Sequence, residues 1–324
     1  MAKGPFSLDR LLNRYNLGPF EDLVKDAVQP AVCLDPKPPV SRSLKIGASK
    51  FGGLPHLEEG TFWPLRHNVD RPLQFMAQIN LADLPDDIDL VVPLPREGWL
   101  YFWLDTLADW EASCTRLPPV EPVEYPYGRI TYAPPDAALM RVPFPMFDEP
   151  NVPAAKKRKD YVRPELLPYS EHRMLFRRAW SLDKDAMTEL LGKASQIEED
   201  GEDEDIWSRA FEMISEMHGE KPNRRNRNHR LLGWDPEAGG EDIRAYAQRT
   251  YSQRVGTCGG ELTPRNRKSW IMLAKFESDP TFQRRPNDPG WSFSDAGCLC
   301  YCIRRSDLEK LDFSKAVAVI INEG

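Results

Sequence analysis

Four stretches of the chain carry the apolar spacing of β-strands. They are Leu73-Gln74-Phe75-Met76-Ala77-Gln78-Ile79-Asn80, Gly98-Trp99-Leu100-Tyr101-Phe102-Trp103-Leu104-Asp105, Trp270-Ile271-Met272-Leu273-Ala274-Lys275-Phe276 and Gly297-Cys298-Leu299-Cys300-Tyr301-Cys302-Ile303. Each pair follows a glycine-bearing turn, Lys50-Phe51-Gly52-Gly53-Leu54-Pro55 in the first half and Arg230-Leu231-Leu232-Gly233-Trp234-Asp235-Pro236 in the second. A Gly turn, a strand with Met and Ala, a polar loop and a Gly-led aromatic strand thus occur twice in the same order, the mark of a duplicated unit. Helical spacing appears at Leu8–Tyr15 and Phe20–Ala27, and again between Pro164 and Met217. There Asp183 to Leu191 starts acidic and ends at Gly192, which reads as a helix terminus. Ile206, Trp207, Ala210, Phe211 and Ile214 form a stripe at i, i+4 spacing.

These elements predict an α+β fold, in which a duplicated β-rich unit forms a mixed or antiparallel sheet core with helices at 8–27 and 165–218 packed outside. The absence of βα alternation argues against a doubly wound parallel sheet. The expected organisation is an N-terminal helical segment at 1–44 and a domain at 45–322. Within that domain repeat one covers about 45–135, a proline-rich, helical and charged middle about 136–225, and repeat two about 226–322. The 30 prolines crowd into 36–39 and 118–153, stretches poor in backbone donors that read as extended loops or edges.

Charge narrows the function. The net charge of −7 argues against bulk nucleic-acid binding, which needs a basic face to displace counterions. No apolar run approaches the roughly 20 residues of a membrane span, and the N-terminus has no signal-peptide core, so a cytoplasmic protein is expected. Of six cysteines, Cys298, Cys300 and Cys302 alternate on one strand face. Their backbone spacing of about 6.5–7 Å is too wide for one zinc without a bend, so they read as a packed face of small apolar thiols. No metal and no cofactor is expected: there is no His-Glu-x-x-His, no Walker A sequence, no Gly-x-Gly-x-x-Gly and no Gly-x-Ser-x-Gly.

Two residues stand out as candidates for catalysis. His56 follows a tight turn and precedes Glu58-Glu59: the plainer reading is a surface turn histidine, the sharper one a general base whose pKa those acids could hold near 7. Asp295 opens the strand at 297–303, where a carboxylate also serves as a loop cap. For binding, the acidic run Glu198-Glu199-Asp200-Gly201-Glu202-Asp203-Glu204-Asp205 precedes one helix, and the basic run at 224–230 follows it. Both complement a helix macrodipole, and Glu199, Asp200, Glu202 and Asp203 could equally steer a basic partner. Trp63, on an expected loop, is the aromatic anchor such a contact would use.

The same segments resemble the YwqG-like family, a bacterial domain of unknown function. The resemblance spans roughly 45–322 and rests on Ser49 to Pro55, Trp63-Pro64, Pro72 to Leu81, Gly98 to Phe102, His229 to Gly233, Phe293 to Gly297, Asp307-Leu308 and Asp312-Phe313-Ser314. It implies a duplicated α+β fold, residence in the bacterial cytoplasm and no established reaction; some such proteins resemble immunity proteins. Phe293-Ser294 and Ile320-Ile321-Asn322 depart from the usual pattern, and the middle at 136–218 is particular to this chain. Together these readings lead to a non-catalytic protein-binding module, an immunity or antitoxin-type protein capturing a basic toxin domain being one form of it. The alternative is an enzyme or small-ligand binder with a cleft between the repeats.

Overall fold

A computed structural model of the chain describes residues 7–65, 72–86, 92–105, 128–145, 167–218, 229–233, 242–255, 261–293 and 297–321. Among the described residues ten strands form one sheet, and every pairing in it is antiparallel. In chain order the strands are β1 (Val28–Pro39), β2 (Lys50–Phe51), β3 (His56–Glu58), β4 (Gln74–Asn80), β5 (Trp99–Leu104), β6 (Gly128–Ala133), β7 (Leu139–Arg141), β8 (His172–Leu182), β9 (Arg230–Leu231), β10 (Trp270–Glu277), β11 (Cys298–Arg304) and β12 (Val317–Ile321). The helices are α1 (Leu8–Arg14), α2 (Glu21–Ala27), α3 (Lys184–Glu199), α4 (Ile206–Met217), α5 (Ile243–Arg254), α6 (Pro264–Arg267) and α7 (Arg305–Leu308). The fold is α+β.

The sheet order is β12-β11-β10-β9-β1-β8-β2-β4-β5-β6, with β3 and β7 as a separate ribbon. Two arms of matching layout flank the central β1–β8 pair. Both arms break register at one place, between Phe75 and Ala77 on β4 and between Met272 and Ala274 on β10. Past β2, Gly52 donates to the Met76 carbonyl at 2.8 Å; past β9, Leu232 donates to the Leu273 carbonyl at 3.0 Å. The turns that follow carry positive φ at Gly52 and Gly53 (59° and 69°) and at Leu232 and Gly233 (62° and 86°). At Gly52 an added Cβ would also fall 2.2 Å from the Ser170 carbonyl oxygen, so glycine is required twice over.

The arms curl towards each other until the sheet is nearly a barrel. Gly128 on β6 packs against Ala318 on β12, and the Tyr301 hydroxyl donates to the Trp103 carbonyl at 3.0 Å across the interior. Alternation sorts the side chains. Leu100, Phe102, Leu299, Tyr301 and Ile303 point inward with Phe51, Phe276 and Trp291 into the main core. On the outside, Cys298, Cys300 and Cys302 pack with Trp270 and Met272 beneath α5, and Tyr101 and Trp103 pack with Trp63 and Leu57. The three thiols are fully buried, as a packed face requires, and burial pushes the Cys302 thiol far above its ordinary value. The Cys298 and Cys300 sulfurs nevertheless approach to 3.8 Å, closer than backbone spacing suggests, because the side chains lean together.

Three expectations change. Residues 28–39 are not part of a helical appendage but the strand at the centre of the sheet. Pro30, Pro36, Pro38 and Pro39 hide it in the sequence; it tolerates them because β9 pairs with β1 only at Val32 and Cys33. Residues 172–182, read as helical, form β8. Gly192 does not end a helix but lies within α3, whose side chains continue the apolar face to Ala194 and Ile197.

Candidate functional site

The acidic run occupies the corner between α3 and α4. Glu199 ends α3, Asp200 caps it, Gly201 turns the chain with φ of 72°, and Asp205 stands at the N-cap of α4. Only the second half of the run therefore complements a helix dipole; Glu198, Glu199 and Asp200 place negative charge at a C-terminus, where it is unfavourable. Glu199, Asp200 and Glu202 are exposed, whereas Asp203 is bound by Arg209. The helical stripe on α4 splits in two. Ile206, Ala210, Met213, Ile214 and Met217 are buried against α1, α2 and α3. Trp207 (38% exposed) and Phe211 (48%) face outward and stack on each other, rings 5.5 Å apart and 8° from parallel. The basic run lies outside the described residues except for His229 and Arg230.

Trp63 is not the exposed anchor expected. It is only 8% exposed, its indole N–H donates to the Leu73 carbonyl at 2.8 Å, and its ring packs edge-on to Trp103 and Phe144. Asp295 lies outside the described residues.

His56 is not a surface turn residue but fully buried, and Glu58 and Glu59 do not set its chemistry. Its backbone N–H donates to Gln78 Oε1 at 2.8 Å. Gln78 Nε2 then donates to the Ala48 carbonyl at 2.9 Å and lies 3.1 Å from His56 Nδ1. The Gly47 N–H also donates to Nδ1, at 3.0 Å. Nδ1 is thus an acceptor, and the ring proton of neutral His56 belongs on Nε2. Nε2 faces Arg141 Nη2 at 3.2 Å. Beside them Lys50, its ammonium fully buried, binds Glu171 at 3.0 Å and the Leu54 carbonyl. Burial, then Lys50 and Arg141, drive the His56 pKa down to about 3, so the imidazole is neutral and its one lone pair is engaged. A general base poised near pH 7 needs the opposite. Burial also lowers the Lys50 pKa to about 8, against the pull of Glu171.

This cluster braces the loop at 44–49. Glu171 Oε1 accepts from the Leu44 N–H at 2.7 Å, Arg141 donates to the Leu44 carbonyl at 3.0 Å, and the Trp99 indole donates to the Gly47 carbonyl at 2.9 Å. The loop walls a cavity of about 450 Å³, whose lining includes Lys45, Ser49, Asp83, Trp99, Arg173 and Phe176. Two further polar pairs escape sequence reasoning. Ser170 Oγ lies 2.7 Å from His172 Nε2, whose ring donates through Nδ1 to the Lys37 carbonyl at 2.8 Å. Buried His229 meets buried Asp279 at 3.3 Å among Phe51, Phe276, Phe282 and Trp291. Burial raises the Asp279 carboxyl, but hydrogen bonds from His229 and Thr281 outweigh it and leave the pKa below its ordinary value. Their partners are 2 to 135 residues apart, so spacing carries no signal. Among the described residues no group of three His, Cys, Asp or Glu could hold a metal ion.

Residues 49–320 match the family model of a domain of unknown function, DUF1963. The chain belongs to the DUF1963 family. No curated protein matches the chain. The DUF1963 match begins at Ser49 and ends at Ile320, so it takes in β2 to β12 and the loop-bracing cluster but leaves out α1, α2 and the central strand β1. Among the described residues no helix is long and apolar enough to cross a membrane.

Proposed function

We propose that this protein is a non-catalytic cytoplasmic module that captures a basic protein partner at the α3–α4 corner, as an immunity protein captures a toxin domain. One observation carries the reading: the stacked, outward-facing Trp207 and Phe211 lie beside a turn rich in exposed carboxylates. Exposed aromatics supply contact area at low entropic cost, and flanking acids steer and orient a cationic partner. Trp207 takes the anchoring role that Trp63, being buried, does not fill.

Changing Glu199, Asp200, Glu202 and Asp203 together to Gln or Asn should slow association with a co-purified partner about tenfold at low ionic strength. The defect should vanish near 0.5 M salt, where the Debye length is about 4 Å. Trp207→Ala should instead speed dissociation, at a cost of about 2 kcal/mol in affinity, while leaving fold stability within about 0.5 kcal/mol. Stopped-flow measurements over a salt series separate the two effects; association unaffected by the four acid changes at low salt removes the electrostatic part of the reading.

A second reading, small-ligand binding, is favoured by the cavity of about 450 Å³ beside Trp99, large enough for a small metabolite. Two finer points belong to the same proposal. Kinship with the bacterial YwqG-like proteins rests on the sequence motifs alone. Duplication is supported by the matched strand order, bulges and turns of the two arms; superposed arms differing by more than a strand spacing, about 4.8 Å, would sink it.

A further inference from the structure

His56 and Arg141 face each other directly across the β3–β7 ribbon. The contact between them is chemically unfinished. Nδ1 of His56 accepts from Gly47 and Gln78, which leaves Nε2 as a donor. The guanidinium opposite it has donors only. Moving the ring proton to Nδ1 would merely transfer the conflict to the Gly47 N–H. Arg141 Nε, moreover, is buried and finds no acceptor among the described residues. Charge is unbalanced in the same direction. Lys50 and Arg141 are two cations, and the carboxylate among them, Glu171, has one oxygen on Lys50 and the other on the Leu44 N–H.

Two donors 3.2 Å apart are spaced so that one oxygen, about 2.9 Å from each, can accept from both. Arg141 is partly exposed at the end of β7, while its Nε and the His56 ring are buried. We propose that Arg141 and His56 form a site for a small oxyanion, a carboxylate or a phosphate group. One ligand oxygen accepts from His56 Nε2–H and Arg141 Nη2, and Arg141 Nε serves the same ligand. Arg141 supplies charge and the fork geometry suited to such groups, and His56, held neutral, supplies a directed donor. The site is independent of the α3–α4 corner, and either proposal can fail alone.

Titration of the full-length protein with sodium formate and, separately, sodium phosphate, against sodium chloride at matched ionic strength, tests it. The readouts are calorimetry and the ¹⁵N–¹H signals of the His56 ring. The expected result is saturable binding of at least one oxyanion below about 1 mM, with the His56 Nε2–H signal shifting along the same isotherm. Formate binding alone marks a carboxylate site and phosphate binding alone a phosphate site. Arg141→Gln should weaken binding at least tenfold; Arg141→Lys, which keeps the charge but not the fork, should also weaken it and serves if the first variant folds poorly. No saturable response above chloride from either anion overturns the proposal. So does a His56 ring signal that stays fixed during binding, or undiminished binding by a folded Arg141→Gln protein.

Discussion

A fully buried imidazole between two cations makes His56 a source of acid sensitivity. Its folded-state pKa of about 3 lies below the unfolded value near 6.5. Between those pH values the unfolded chain binds a proton that the folded protein excludes. Stability is therefore fully present above about pH 6.5 and falls as pH drops towards 3, by at most about 1.4 kcal/mol per pH unit. His56→Gln removes that term. Urea midpoints at pH 7 and pH 4.5 should show wild type losing about 2 kcal/mol more than the variant, and parallel losses would refute the assignment. Sequence singled out His56 but mistook its neighbours. Glu58 and Glu59 are adjacent in the chain, whereas Lys50, Gln78, Arg141 and Glu171 are brought in by four other strands or loops. A titratable residue's environment is set by tertiary packing, and no local spacing encodes it.

Among the elements, α3 carries an avoidable weakness. Gly192 sits in its interior, exposed, with nothing within 4 Å of where a Cβ would stand. Gly192→Ala should stabilise the protein by about 0.5–1 kcal/mol, seen as a higher urea midpoint at unchanged slope. The mistaken helix end at Gly192 arose because glycine is a good stop signal, while the apolar face that outvotes it is completed only by contact with α2 and α4. The strands β4, β5, β10 and β11 were legible because each is strongly apolar, each pair follows a glycine-bearing turn, and Gly98 and Gly297 directly precede β5 and β11. β1 and β8 were not. Prolines disguise the first, and the second, His-Arg-Met-Leu-Phe-Arg-Arg-Ala-Trp-Ser-Leu, lacks a clean polar–apolar alternation, with Arg177 and Arg178 adjacent and Arg177 bound by Asp35.

At the scale of the molecule the two arms meet across a shared interior. The Tyr301 hydroxyl, buried and bound to the Trp103 carbonyl, is a polar link between β11 and β5. Tyr301→Phe deletes the link without changing the packed ring, and should cost about 1–2 kcal/mol in a denaturant melt monitored by near-ultraviolet circular dichroism. A loss below a few tenths of a kcal/mol would mean that the arms are held by aromatic packing alone, through contacts such as Phe102 with Phe276 and with Tyr301.

The place of β1 sets a timetable for folding. This strand leaves the ribosome well before its partners: the long partner β8 follows about 145 residues later and β9 about 200 residues later. At translation speeds of 5–20 residues per second, β1 waits roughly 7–30 s with its backbone donors and acceptors unpaired. The two arms cannot be joined before it is captured, so the last step of folding closes loops of this length and is slow. A nascent chain held that long with an apolar Ala31-Val32-Cys33-Leu34 segment open is a substrate for chaperones, and the prolines on either side of that segment limit how it can pair with another copy in the meantime.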